Sequence, residues 1–177
     1  MTRWLRPSAI VLLCTFAGLV ERPSAAVQAP ADKPAPCTAP EYRQFDFWIG
    51  DWDVFDAGNS APVARVVVDR ILDGCALRED YQGANGTRGQ SFSTYDSSRR
   101  VWHQTWVTNR GQLLVIEGAL RGRGMVLAGT DPASGPLGRV RGVWTPQGDG
   151  VREVAVTSTD GGKTWRPWFD LVFKRRR

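Results

Sequence analysis

VWHQTWVTNRGQLLVIEGALRGRGMVLAGT, residues 101–130, contains two extended β-rich runs joined by a tight turn, with a third close behind. In the run 101–108, strand alternation puts Trp102, Gln104 and Trp106 on one face and His103 with Thr105 on the other. Asn109-Arg110-Gly111 then supplies residues that tolerate positive φ, and the next run, 112–120, follows at once. So short a connection implies neighbouring antiparallel strands. Two tryptophans on one strand face belong inside, which points His103 outward.

The same signature extends in both directions. Runs at 51–57, 63–72, 75–82 and 90–95 come before, and 125–130, 139–145, 151–158 and 164–175 come after. Asp73-Gly74, Asn85-Gly86 and Asp149-Gly150 punctuate them as turns. Asn85-Gly86-Thr87 also fits a glycosylation acceptor, but is read here as a turn. Ahead of the first run, Thr38, Pro40 and Glu41 have capping-box spacing, predicting a short helix through Tyr42 and Phe45 that ends before Gly50. About ten strands in sequence order remove their edges by closing into an all-β, antiparallel up-and-down barrel, with the short N-terminal helix capping one end. An immunoglobulin-like sandwich is the competitor. It needs longer crossovers, and residues 131–138 form the only long connection.

Residues 1–26 read as a signal peptide: Arg3 and Arg6, an apolar run over 9–20, then Ser24, Ala25 and Ala26 as a cleavage site. The apolar run is too short to span a bilayer. Cys14 follows Leu13, where a lipoprotein signal needs a small residue, so no stable membrane anchor is expected after cleavage. Residues 27–36, VQAPADKPAP, are a flexible leader, and 37–177 form the barrel domain. Cys37 and Cys75 are then an even pair in an oxidising compartment, most simply a disulfide. The expected location is periplasmic or secreted.

The formal charge of +5 invites a nucleic-acid partner, but the excess lies at the two ends. Beyond residue 26 there are 20 basic and 17 acidic groups, and Lys174 to Arg177 hold four of the basic ones. A body so near neutrality has no strip of uncompensated cations, so no nucleic acid is expected. Motifs with sharp mechanics, such as G-x-S-x-G, H-E-x-x-H and the P-loop, are absent, and no metal-ligand set or catalytic residue is assigned. Ser158 to Trp165 fits the Asp-box hairpin of β-propellers; as a single copy it reads as a tight turn in which Asp160 and Ser158 bond local amides above Trp165.

Alternation places Glu79 with Leu77 and Tyr81, and Glu153 with Val151 and Ala155. Interior carboxylates are either paired with donors or held at raised pKa, and Arg141 is a plausible partner. Glu79, Tyr81, Trp102, Gln104, Trp106, Trp144 and Glu153 are the residues expected to line a cavity, aromatics giving area and the polar few giving orientation. Their alternative role is ordinary core packing.

At FDFWIGDWDV, residues 45–54, the chain resembles lipocalin-like barrels of the calycin type, in which a short helix leads into Gly-x-Trp, here Gly50-Asp51-Trp52. The resemblance implies an Arg near the end of the last strand packed across that Trp at the closed end, which makes Arg175 the candidate. The wider series ILDGCALRE, YDSSRRVWHQTWV, MVLAG and STDGGKTW is similar to a bacterial family of exported, lipocalin-like proteins of unknown function, over residues 37–175. Some small barrels hold haem through one imidazole; His103, the sole histidine, is the only residue here that could do so, although its outward orientation opposes it. Otherwise no cofactor is expected.

The leading expectation is an exported barrel that binds a small, mainly apolar or aromatic molecule in its interior. Two alternatives come from other classes. A barrel enzyme, an isomerase, cyclase or hydratase, would use Glu79 or Glu153 as general acid or base and leave it without an Arg partner. A cell-envelope interaction module would have a filled interior and an exposed apolar patch.

Overall fold

The computed structural model describes residues 36–176. The signal peptide and the leader, apart from Pro36, lie outside the described residues. Ten strands follow one another: β1 Gly50–Asp56, β2 Ala64–Ile71, β3 Ala76–Gly83, β4 Arg88–Asp96, β5 Val101–Thr108, β6 Leu113–Arg121, β7 Gly124–Thr130, β8 Arg139–Gln147, β9 Gly150–Ser158 and β10 Arg166–Arg175. Each pairs antiparallel with its sequence neighbours, and β1 pairs with β10, so the sheet is a closed up-and-down barrel. Closure leaves no sheet edge to template aggregation. No described helix is long and apolar enough to cross a membrane.

All ten sequence runs become strands, with ends that shift by no more than two residues. The expected short helix is present, as two 3-10 turns, Pro40–Arg43 and Asp46–Trp48, but the first begins after Ala39 with no side-chain cap, so Thr38 and Glu41 form no capping box. The physical reason is the crosslink next door. Cys37 is joined to Cys75 and held at φ 58°, so the chain enters the turn from a direction the disulfide imposes. Arg43 reinforces the clasp by donating to the carbonyls of Cys37 and Gly74. Closing this loop of 38 residues stabilises the fold by about 4 kcal/mol in the chain-entropy model.

The clasped segment plugs the end of the barrel where β1 starts and β10 finishes. Phe45 and Trp48 are fully buried and stack at 5.0 Å, and Phe45 meets Trp102 at 5.7 Å and Trp144 at 5.6 Å, both edge-on. Offset and edge-on contacts of this kind add about 1 kcal/mol each beyond the buried area. Beneath them Trp52 donates from Nε1 to the Trp48 carbonyl at 3.0 Å, and the Arg175 guanidinium lies 4.7 Å over its ring. Trp52 and Arg175 are also register partners across the closing seam. A Cβ on Gly50 would fall 2.6 Å from the Trp52 ring and 3.0 Å from the Arg175 guanidinium, which explains why the residue two before the tryptophan has no side chain.

Gly50→Ala therefore forces the Trp52–Arg175 pair apart. The expected cost is about 1–3 kcal/mol, the range for overpacking a tight site. Urea denaturation followed by tryptophan fluorescence measures it, and a variant as stable as the parent would contradict the packing described here.

Candidate functional site

Above the aromatic floor the barrel is hollow. A chamber of about 710 Å³ reaches from the Trp144 and Phe173 side chains to a mouth formed by the β1–β2, β3–β4 and β5–β6 connections. Volumes of 300–1,000 Å³ are usual for small-molecule sites. The floor is dense because its inward positions carry Trp52, Trp102, Trp144 and Phe173. The space opens where they carry Gly142 and Ala155 instead. A Cβ at Gly142 would meet the Trp144 ring at 2.8 Å, so this glycine lets the indole fold back along the wall.

Six of the seven residues expected to line a cavity do so: Glu79, Tyr81, Gln104, Trp106, Trp144 and Glu153. Trp102 is the exception. It sits one inward position deeper on β5 than Gln104, packs against Phe45 and Tyr95, and donates from Nε1 to Gln44 Oε1 at 3.1 Å, so it belongs to the floor. Tyr81 and Trp106 meet edge-on at 5.7 Å nearer the mouth. Leu114, Ile116, Leu171 and Phe173 complete the apolar wall. Asp56 and Trp168 join the lining without having been singled out from sequence. A register shift between Pro167 and Phe169, where proline lacks a ladder donor, breaks strict alternation at the start of β10 and hides Trp168 from a period-two count.

The polar groups of the middle layer are few. Ser91 Oγ donates to Glu79 Oε2 at 2.7 Å, and Gln104 Nε2 donates to Ser93 Oγ at 3.0 Å. Burial pushes the Glu79 carboxyl up to about 7, the Ser91 hydroxyl pulling it back and Asp80 adding to the rise. Glu153 is held well above the ordinary carboxylate range by burial first and by the charge of Glu79 second. The Trp144 N–H beside Glu153 favours its ionised form, yet Trp144 Nε1 is buried and makes no formed hydrogen bond. Tyr81 is also raised, mainly by burial and then by the two glutamates.

Arg141 is not the partner of either glutamate. It projects outward, with its guanidinium 4.6 Å over Trp165, and no ion pair among the described residues includes Glu79 or Glu153. Alternation on β8 makes this necessary, since Val140, Gly142 and Trp144 face inward. Trp165 therefore caps Arg141 outside the chamber, while Asp160 accepts from the amides of Lys163 and Thr164 and from Thr164 Oγ1, and Ser158 Oγ accepts from the Gly162 amide. The Asp-box sequence is a self-bonded turn. His103 faces outward, with Nδ1 2.9 Å from Glu117 and Nε2 2.9 Å from Thr105, so it presents no imidazole to the chamber for haem.

The interior carboxyls set the sign of a stability–pH profile. A carboxyl whose pKa is raised on folding binds more protons in the folded state, so its protonated form supports the fold below about pH 4.5 and that support fades as pH rises past 7. Glu79 alone corresponds to about 3 kcal/mol between these limits. Outer carboxylates such as Glu117, held down to about 2 by Arg99 and His103, act in the opposite sense but only at lower pH. Thermal melts between pH 5 and 8 are expected to show falling stability, flattened in Glu79→Gln; a profile that rises over this window would contradict the site described. No protein-family model and no curated protein matches the chain.

Proposed function

We propose that this chain is an exported barrel protein, periplasmic or secreted, that binds a small, mainly apolar or aromatic molecule in the chamber. One observation carries it: a chamber of about 710 Å³ opens from one end of the barrel down to a packed aromatic floor, and its walls are mostly aromatic and aliphatic. Empty volume of this size forfeits the dispersion and burial that larger side chains would supply, so sequences without a use for it fill it. The Cys37–Cys75 disulfide is compatible with an oxidising compartment. Gly50, Trp52 and Arg175, meeting at the closed end, support kinship with calycin-type lipocalin-like barrels and the exported bacterial family the sequence resembles.

A second reading has its own observation. Glu79 and Glu153 stand in the wall with no cationic partner among the described residues, as a general acid or base of a barrel isomerase, cyclase or hydratase would. Binding is preferred because aromatic and aliphatic side chains make up most of the wall around them. An envelope interaction module draws support only from the outer apolar positions Phe92, Val107, Leu113 and Val115, and its filled interior is at odds with the chamber.

Native mass spectrometry of gently purified protein screens for a retained guest, and calorimetry with the neutral probe 2-(1-naphthyl)ethanol measures the chamber directly. Binding of the probe is expected, weakened about 10-fold or more by Ala155→Phe, which fills the space from β9 while circular dichroism stays that of the barrel. A fully folded protein that takes up neither guest nor probe would overturn the proposal.

A further inference from the structure

The chamber lining contains three carboxyl groups, Asp56, Glu79 and Glu153, and, among the described residues, no Lys, Arg or His. That imbalance runs against a chain whose formal charge is +5. Outside the lumen the pattern is reversed: Asp51, Asp69, Asp96, Glu117 and Asp170 each hold an arginine. The two deeper glutamates lie on β3 and β9, four strands apart one way round the ring and six the other, so they face each other across the lumen. Both are more than nine-tenths buried. A second observation points to a missing partner at the same place. Trp144 is 3% exposed, lines the chamber, neighbours Glu153 in register, and has its indole N–H beside that carboxyl without closing a formed hydrogen bond.

We infer that the guest is an aromatic or aliphatic amine, whose ammonium group seats between Glu79 and Glu153 while its apolar body fills the space toward Tyr81, Trp106 and Leu114. This inference rests on the binding proposal above and names the chemical class it takes. A cation supplies what the two carboxyls lack. It offers charge-assisted donors to both walls. Ionised by the neighbouring ammonium, Glu153 becomes a stronger acceptor for the Trp144 N–H beside it. An anionic guest would instead add a further negative group beside the two carboxyls and oppose their ionisation. Gln104, already donating to Ser93, has a carbonyl oxygen left for a further donor of the guest.

The proton balance follows. The titratable groups facing the seat are Glu79, Glu153, Tyr81 and, at the mouth, Asp56. With Glu79 raised to about 7, the chamber at pH 6 holds that carboxyl largely protonated, and burial shifts Glu153 in the same direction. The ammonium enters with its proton, a glutamic acid ionises, and that proton leaves to the buffer. A neutral guest of the same shape releases none.

Calorimetry on the intact barrel tests this with three matched probes: 2-(1-naphthyl)ethylamine, 2-(1-naphthyl)ethanol and 1-naphthylacetate. At pH 7 the amine is expected to bind about 10-fold or more tightly than the alcohol, and the carboxylate more weakly than either. In Glu79→Gln/Glu153→Gln the amine-to-alcohol ratio is expected to fall to near one. At pH 6, titrations in buffers of different ionisation enthalpy are expected to show proton release with the amine and none with the alcohol, a measurement on the unaltered chain that stands even where the double variant folds poorly. Equal affinity of amine and alcohol, or no proton release, overturns the amine seat and leaves the binding proposal intact. Failure of all three probes to bind overturns both.

Discussion

Pairing of β1 with β10 is the contact on which the molecule depends. Without it the sheet is a ten-stranded ribbon with two exposed edges and no inside. The seam is placed where Trp52 faces Arg175, and the guanidinium over the indole ties the last strand to the first at the same level as the plug. The plug is in turn held by Cys37–Cys75 and by Arg43, which reach across to the β2–β3 connection. Closure, floor and crosslink thus occupy one end, and the stabilisation they provide is what allows the other end to stay hollow.

That division of labour is an energetic one. The floor concentrates Phe45, Trp48, Trp52, Trp102 and Phe173, each essentially inaccessible, in ring-to-ring contact. Large side chains of this kind contribute about 2–3 kcal/mol each on burial. The middle layer does the opposite, placing two unpaired carboxyls in a low-dielectric lumen, where desolvation disfavours their charge and shifts them toward the neutral form. A barrel held shut from below can tolerate that cost; a barrel closed only by its middle layer could not.

Much of the architecture was legible because strand alternation and turn chemistry are local. The run 101–108 shows which side chains share a face, and Asn109-Arg110-Gly111 shows that the chain reverses. What alternation does not report is height along the barrel axis. Trp102 and Trp106 share a face and are indistinguishable by period, yet one is floor and the other wall, since only the plug decides where packing stops. Arg141 was misplaced for a different reason: it lies three residues from Trp144, an odd spacing on one strand, so the alternation that puts the indole inside had already put the arginine out. The capping box failed because a crosslink between Cys37 and Cys75 outweighs the small preference of Thr38 and Glu41. Trp168 was hidden by the irregularity that Pro167 introduces.

The two faces of the barrel put the same residue types to different use. On the outside Arg65 meets Asp51 and Arg78 meets Asp69 across strand pairs, where solvent screens the interaction and each contributes little. Inside, Ser91 gives Glu79 a single neutral donor, and among the described residues no arginine side chain lines the lumen. Placing an arginine there would have been structurally simple, since neighbouring positions on every strand alternate in and out and arginines already occupy many of the outward ones. Such an ion pair would also have stopped the carboxyls from answering to anything that enters. Left as they are, their protonation is coupled to whatever shares the chamber, and the chemistry of the interior is set by its occupant as much as by its walls.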